Sequence, residues 1–370
     1  MNTPLDGLKV VELARILAGP WIGQTLADLG ADVVKIESVN GDDTRRWGPP
    51  FIERDDDISA AYFHGTNRGK DSICLNFSDK NDLDELLKII AEADVLIENF
   101  KVGGLEKYGL DYKSIHALNP RLVYCSVTGF GQDGPYAHRA GYDFLIQGMS
   151  GIMDLTGEPD GSPQKIGVAF ADIFSGLYGV IGIQAALTER ERSGKGQHVD
   201  ISLLDCMTGV LANQAMNFLA SGKTPKRMGN AHPNIVPYQT FEVSDGYIII
   251  ACGNDRQFQS LCKVLKLEEL SSHEDYLTNS KRVENRAQLT PLLQAACLNW
   301  TKLGLLEALE EAVVPAGPIN TVAEALENPQ IQHRKLQIEP EGVPGLRTPI
   351  TFSRSEQNNS KASPKLPRKQ

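Results

Sequence analysis

The stretch LKVVELARILAGPWIGQTLADLGADVVKIE (residues 8–37) decides the fold. Leu8 to Leu13 is a short, largely apolar run, the pattern of a buried strand. Gly19-Pro20 follows, and proline suits the first helical position because its missing N–H would have no partner there. Ile22, Leu26 and Leu29 then fall on one face at helical spacing, and Gly30 closes the helix. Ala31 to Ile36 is a second apolar run. A strand, a helix and a strand within about thirty residues make a βαβ unit.

The alternation continues outward from this unit. Ser78 and Asp79 open a helix carrying Leu83, Leu86, Leu87 and Ile90 at helical spacing, and Val95 to Ile97 and Leu122 to Val127 read as strands. Strands alternating with helices predict a parallel sheet covered on both faces. The expected fold class is therefore α/β, a Rossmann-like large domain over residues 1–221. From 222 the texture changes: GKTPKRMGNAHPNIVP is rich in Pro, Gly and basic residues, so 222–239 reads as a linker. Thr240 to Val243, a Ser244-Asp245-Gly246 turn and Tyr247 to Cys252 read as a hairpin. Helical segments run on to a Pro/Gly break at PAGP (315–318), giving a smaller α+β domain over 240–329. The tail SKASPKLPRKQ is polar and basic and is expected to be mobile.

At 370 residues the chain has room for two domains, and a net charge of −10 argues against nucleic acid or an anionic membrane as the main partner. The 6 cysteines are scattered with no CxxC pair and no zinc-type spacing, so no metal site is expected and reduced thiols in the cytoplasm are. The opening MNTPLDGLKVVEL lacks the basic and apolar regions of a signal peptide. Ala169 to Leu187 is apolar almost to the length of a membrane span, but it carries Asp172 and repeats glycine at 176, 179 and 182. That favours a core helix packed closely on its neighbours over a membrane span.

Gly129-Phe-Gly-Gln-Asp-Gly134 satisfies GxGxxG after a strand, yet Pro135-Tyr136 follows where a dinucleotide-binding helix would open. A tight glycine loop is the better reading. Ser150 sits in GMSGI, which lacks the final glycine of a nucleophile elbow. Asp172, in GVAFADIFSG, stands among apolar neighbours, and an unpaired charge there needs compensation. A helix N-terminus would supply it and favour the ionised form. Asp172 is then either a helix cap or a nucleophilic carboxylate. Gly19-Pro20 repeats that physics as an ordinary βα turn or an anion site. Arg15, Lys35, Arg45, Arg46, Arg68, Lys70, Lys101 and Lys107 concentrate in loops after strands, where ligands of open α/β sheets bind.

The chain resembles the class III CoA-transferases, which include formyl-CoA and carnitine CoA-transferases, over essentially its whole length. The resemblance rests on PLDGLKVVEL, LARILAGP, LADLGADVVKIE, NRGKDSICLNF, ADVLIENF, NPRLVYCSVTGFGQDGPY, AGYDFLIQ, ADIFSGLYG and SGKGQHVDISLLD. GDDTRRWGPPF and NAHPNIVPYQTF look most like the succinyl-CoA:glutarate subgroup. The resemblance implies an interlocked homodimer whose large domain is completed by residues 330–370, with acyl-CoA and small carboxylic acids as substrates and no permanent cofactor. It places the family's nucleophile on Asp172. CoA-binding positions fall on Leu17, Ala18, Leu75, Asn76, Phe77, Asn99, Phe100, Lys101, Lys107, Arg139 and Tyr142. An active-site lid falls on 251–255, with Gly253 and Asn254 as oxyanion donors. Formyl-CoA transferases carry Gln where this chain has Leu17 and Arg where it has Ser38. Arg227, Arg256 and His232 are the cations considered for a substrate's distal carboxylate.

The implied chemistry is two-stage: Asp172 attacks an acyl-CoA thioester to give a mixed anhydride, and the released thiolate converts it to an aspartyl-CoA thioester. The same fold also hosts alpha-methylacyl-CoA racemases, which need a histidine in an AGHD-type motif as second proton carrier. Here the motif is Ala140-Gly141-Tyr142-Asp143, and a phenol with an ordinary pKa of ~10 is a poor shuttle at neutral pH. Transferase is the reading this substitution favours.

Overall fold

A computed structural model describes residues 2–368, which divide into two units. The first takes in the described residues of Met1–Met153, Lys165–Lys223 and Pro329–Gln370. The second is Asp154–Gln164 with Thr224–Asn328. Residues 369 and 370, included in the expected completion of the large domain and in the expected mobile tail, lie outside the described residues.

The first unit runs β1 (Lys9–Glu12), α1 (Ala18–Asp28), β2 (Asp32–Glu37), a hairpin of β3 (Phe51–Arg54) and β4 (Asp57–Ala60), α2 (Ala61–Asn67), β5 (Asp71–Cys74) and α3 (Lys80–Ala91). It continues through β6 (Val95–Glu98), α4 (Tyr112–Leu118), β7 (Val123–Thr128), α5 (Asp143–Met149), α6 (Ile152–Leu155), α7 (Phe170–Ser193), β8 (His198–Ser202), α8 (Leu203–Gly209) and α9 (Ala212–Ser221). Six strands pair in the order β5-β2-β1-β6-β7-β8, every neighbouring pair parallel. With the β3–β4 hairpin set aside, that is the doubly wound order 3-2-1-4-5-6. The mixed α/β class and the parallel sheet expected from residues 8–37 are both present.

Alternate strand residues serve two cores, as the pleat requires. Val10, Val33, Val95, Ile97, Val123 and Cys125 meet Ile22 and Leu26 of α1 and Ile183 of α7 on one face. Val11, Ile36, Leu96 and Tyr124 meet Leu86 and Ile90 of α3 and Ile115 of α4 on the other. Among the described residues α7 is the one helix long and apolar enough to cross a membrane by length and composition. Its glycines are where α1 and the sheet come closest. A Cβ on Gly179 would stand 2.3 Å from Ile22 Cδ1, and one on Gly182 would stand 2.7 Å from Val199.

The tail is held, contrary to the expectation of mobility. Ala362 and Ser363 are 1% and 2% exposed. Arg54 donates to the Ser363 carbonyl at 2.6 Å, and Lys365 and Arg368 pair with Asp55 and Asp56 of the β3–β4 turn. The basic residues of the tail thus meet an acidic turn, which composition alone does not locate.

The second unit has its own core. β9 (Tyr238–Val243) and β10 (Gly246–Ala251) form the expected hairpin, and β11 (Ala316–Pro318) adds an antiparallel edge in the order β11-β10-β9. PAGP, read as a break, supplies that edge strand, a position where proline is tolerated. Helices α10 (Asp255–Leu265), α11 (Glu268–Ser272), α12 (Asn279–Glu284), α13 (Arg286–Cys297) and α14 (Lys302–Glu311) follow β10. Phe258, Leu261, Leu289, Leu293, Leu305 and Leu309 pack with Phe241, Ile248 and Ile250. Residues 224–239, which compositionally resemble a linker, are built into this unit. Arg227 binds the Asp154 carboxylate at 3.1 Å, and fully buried Arg282 donates to the Val236 carbonyl at 2.7 Å.

Candidate active site

In this strand order the chain winds away from the centre in both directions, so the crevice lies between β1 and β6 at their C-terminal ends. The two loops bordering it are tied across the gap. The Arg15 N–H donates to Asn99 Oδ1 at 2.9 Å, and Asn99 Nδ2 donates to the Arg15 carbonyl at 2.6 Å. Ile16 takes φ +75°, a left-handed conformation costing a β-branched residue on the order of 1–3 kcal/mol. Buried charges fix the backbone on either side of it. Lys35 Nζ donates to the Ala14 carbonyl at 2.7 Å, and Lys70 Nζ donates to the Pro20 carbonyl at 2.9 Å. Both ammonium groups share Glu12, and Asp42 accepts the Ile16 N–H at 3.3 Å.

That arrangement separates the eight basic residues of the sequence reading. Lys35, Arg45, Arg68 and Lys70 are buried and paired with Glu12, Glu37 and Asp28, so they build the platform, although Lys35 also borders the cavity beside Ser38 and Leu75. Arg46 is exposed and paired with Asp43 at 2.8 Å. Arg15, Lys101 and Lys107 stay at the surface.

Two cavities open here. One, of about 430 Å³, is lined by Leu17, Ala18, Asn99, Phe100, Lys101, Arg139, Tyr142 and Asp172, among others. A second, of about 520 Å³, is lined by Leu75, Asn76, Phe77 and Ser38. Arg15 and Phe100 line both and form the wall between them. The Arg15 guanidinium lies 5.7 Å from the Phe100 ring centre, and Phe77 packs against Phe100 at 6.1 Å and Tyr108 at 5.8 Å. Lys107 lines neither cavity; its ammonium stands 4.6 Å above the Tyr108 ring beside the second. The glycine loop after β7 opens no helix, and a Cβ on Gly129 would stand 2.5 Å from the Gly141 backbone. Those two glycines let the loop fold over the first cavity.

Asp172 lies in the first turn of α7, half-buried. It does not cap the helix. Asp143 does: its Oδ1 accepts the Ala171 N–H at 2.8 Å and approaches the Asp172 N–H at 3.4 Å. Gln147 steadies Asp143 from Nε2 at 2.7 Å, while its Oε1 accepts the Ile166 N–H. The expected ionising effect of the helix end is outweighed. Burial, and then the neighbouring Asp143 charge, push the Asp172 carboxyl up to about 7. Tyr62 on α2 also senses this pair. Burial followed by the charges of Asp172 and Asp143 pushes its phenol up to about 12, and its ring packs edge-on against Trp47 at 5.3 Å. Neither Asp143 nor Tyr62 was singled out from the sequence. Asp143 was within reach, because it closes the Ala140–Asp143 motif whose tyrosine drew the attention. Tyr62 had no local signal.

Gly253 and Asn254 belong to the second unit. Asn254 caps α10 through the Gln257 N–H at 2.9 Å, and the Gly253 N–H donates back to Gln257 Oε1 at 2.8 Å. The Gly253 N–H, one of the two expected oxyanion donors, is engaged in this reciprocal cap, whereas Asn254 takes part through its side-chain oxygen as an acceptor. Of the cations considered for a distal carboxylate, Arg227 is bound to Asp154. The His232 imidazole accepts the Asn234 N–H, and Arg256 is exposed in the first turn of α10.

A doubly wound sheet with a buried carboxylate, backed by a second one, lining a cavity at its switch point is the architecture of an α/β enzyme. The chain belongs to CoA-transferase family III, whose family model matches residues 5–369, and it is a CoA-transferase. It is 53% identical to the succinate–glutarate CoA-transferase of Agrobacterium fabrum over 371 residues, 98% of this chain and 93% of that one. It is 40% identical to the acetyl-CoA:oxalate CoA-transferase of Acetobacter aceti, over 95% of this chain and 89% of that protein. In structure it is similar to a CaiB/BaiF family protein of Brucella suis, with a TM-score of 0.90 and 65% identity, covering 99% of this chain and 97% of that one.

Proposed function

We propose that this enzyme moves CoA between short dicarboxylic acids, with Asp172 as the covalent carrier. The observation that carries the reading is Asp172 at the head of the crevice cavity, in the same space as Leu17, Asn99, Lys101 and Arg139. The dicarboxylate class is supported by the names of the Agrobacterium and Acetobacter relatives, which act on succinate and glutarate and on oxalate. An elongated acyl-CoA would lie across both cavities, over the Arg15–Phe100 wall, with its thioester at Asp172. Arg15, Lys101, Lys107 and Arg139 are then the cations for its phosphates and for a substrate carboxylate.

In the first step a carboxylate oxygen of Asp172 attacks the thioester carbonyl. The C–S bond breaks, CoA leaves as thiolate, and a mixed anhydride remains. The thiolate attacks the aspartyl carbonyl and displaces the first acid, leaving an Asp172–CoA thioester. The incoming carboxylate attacks that thioester to form a second anhydride and free the thiolate. Attack of the thiolate on the new acyl carbonyl releases the product and restores Asp172. Protons balance without a net transfer, so no second acid–base residue is required, which accords with tyrosine at 142. A racemase would need that second carrier. An interlocked homodimer is the assembly proposed. Supporting it is an exposed apolar face formed by Phe144 and Leu145 on α5 with Leu177, Tyr178 and Ile181 on α7. The compartment proposed is the cytoplasm.

Asp172→Asn is expected to lower transfer at least a thousandfold while CoA binding persists. Hydroxylamine trapping after incubation with succinyl-CoA should label the Asp172 peptide of the unsubstituted enzyme. Transfer at an undiminished rate by the variant would overturn the mechanism. A panel of mono- and dicarboxylic acids against succinyl-CoA and acetyl-CoA, read by chromatography of the CoA esters, tests the substrate class.

A further inference from the structure

Glu98 ends β6 just before the Asn99-Phe100-Lys101 segment and is 5% exposed. Its Oε2 accepts the Phe100 N–H at 2.7 Å. Glu98, Ser126 and Asp200 occupy paired positions across β6, β7 and β8, so they share one row on the sheet. Ser126 hydrogen-bonds to Glu98, and its Oγ stands 2.9 Å from His198 Nε2. His198 is wedged between aromatic rings, stacked on Tyr112 at 4.8 Å and edge-on to Tyr124 at 5.4 Å. Asp200 accepts the Gln132 N–H at 2.9 Å.

Glu98, Ser126, His198 and the two tyrosines line a third cavity, of about 310 Å³, beside Lys101, Val102, Gly103 and Leu105; Lys101 and Val102 line both it and the Asp172 cavity. Among the described residues no cation lies within ion-pair distance of Glu98, and burial pushes its carboxyl up to about 7 against the hydrogen bonds from Ser126 and the Phe100 N–H. A buried carboxylate without a counter-charge is costly, and an apolar side chain would be the more stable occupant of a purely structural position. What the carboxylate does here is orient two donors. One of them, the Phe100 N–H, belongs to the residue whose ring, with Arg15, separates the two upper cavities. The next residue back, Asn99, holds the Arg15 peptide from both sides.

We propose that Glu98 is a positioning residue for acyl-CoA. Backed by Ser126 and His198, it sets the Phe100 backbone, and through it the Phe100–Arg15 wall over which a phosphate-bearing thioester passes from one cavity to the other. The proposal rests on the reading that acyl-CoA occupies both cavities. Glu98 touches neither the thioester nor Asp172, so its loss changes affinity rather than the chemical step.

The test measures CoA affinity by calorimetry in an Asp172→Asn background, and KM and kcat in otherwise unsubstituted enzyme. Glu98→Leu is expected to raise Kd and KM for the CoA ester about tenfold with kcat within about threefold. Glu98→Gln keeps one acceptor for the Phe100 N–H and should recover part of that loss. Ser126→Ala should raise Kd about threefold. Unchanged Kd in Glu98→Leu, or a fall in kcat at constant KM, would overturn the assignment. Should Glu98→Leu not fold, Ser126→Ala decides, and an unchanged Kd there overturns it as well. Failure of the Asp172→Asn parent to bind CoA would instead remove the occupancy reading, and the Glu98 assignment with it.

Discussion

At the scale of single residues, the site is a matter of two carboxylates in different roles. Asp143 is engaged by backbone N–H groups and Gln147, whereas Asp172 carries the cost of burial and of its neighbour's charge. A nucleophilic carboxylate must be ionised, and the ionised fraction of a group titrating near 7 rises as pH rises through that value. The expected profile of kcat/KM for acyl-CoA therefore falls on the acid side of about 7. Asp143→Asn removes a charge that raises Asp172 while leaving an oxygen to accept the Ala171 N–H. Its acid limb should move to lower pH in the same assay, and an unmoved limb would show that burial alone sets the value. Asp172 stood out in the sequence as a lone acid in an apolar run, and the family resemblance is what gave it the nucleophile's role. The sequence could not reveal that the cap comes from Asp143, 29 residues earlier, since that bond exists only once α5 and α7 are packed together. The same limit applies to the basic residues. Lys35 and Lys101 look alike as letters, and only burial separates a lysine paired inside the platform from one exposed at a cavity mouth.

At the scale of elements, local patterning was legible wherever its period was strong. Residues 8–37 gave the first strand, helix and strand to within a residue or two, because hydrophobic spacing and Pro20 agree there. β11 was illegible: Ala316–Pro318 has turn composition and becomes a strand by pairing with β10. The close seam between α1 and α7 was foreshadowed by glycine at every third position, and its geometry gives that pattern a measurable meaning. Gly179→Val would drive a branched side chain into Ile22 and is expected to destabilise the enzyme by about 1–3 kcal/mol. Thermal melting checks this. The exposed substitution Glu191→Ala, on the same helix and outside the apolar face of Tyr178, is the control, and equal losses in the two variants would contradict the seam.

At the scale of the molecule, the tail of the chain completes the first unit. Exposed pairs such as Lys365–Asp55 are worth about 0–1 kcal/mol each, so Asp55→Asn should barely move the melting temperature. Ending the chain at residue 359 is a larger change. It removes the Ser363 hydroxyl that His64 bonds and the tail carbonyls that accept from Arg45 and Arg54. A loss of about 2–4 kcal/mol is expected from these buried groups, read by denaturant unfolding. A truncated enzyme as stable as the full chain would show that the tail only rests on the surface.

These tail contacts also order events in time. The Arg54–Ser363 bond joins residues 309 positions apart, so a ribosome must synthesise nearly everything in between before that bond can form. The β3–β4 hairpin therefore emerges long before its cover. Arg45 and His64, whose tail partners come last, must wait through translation of the entire second unit. Until Ser363 and Pro364 are made, water must stand in for the tail at both side chains.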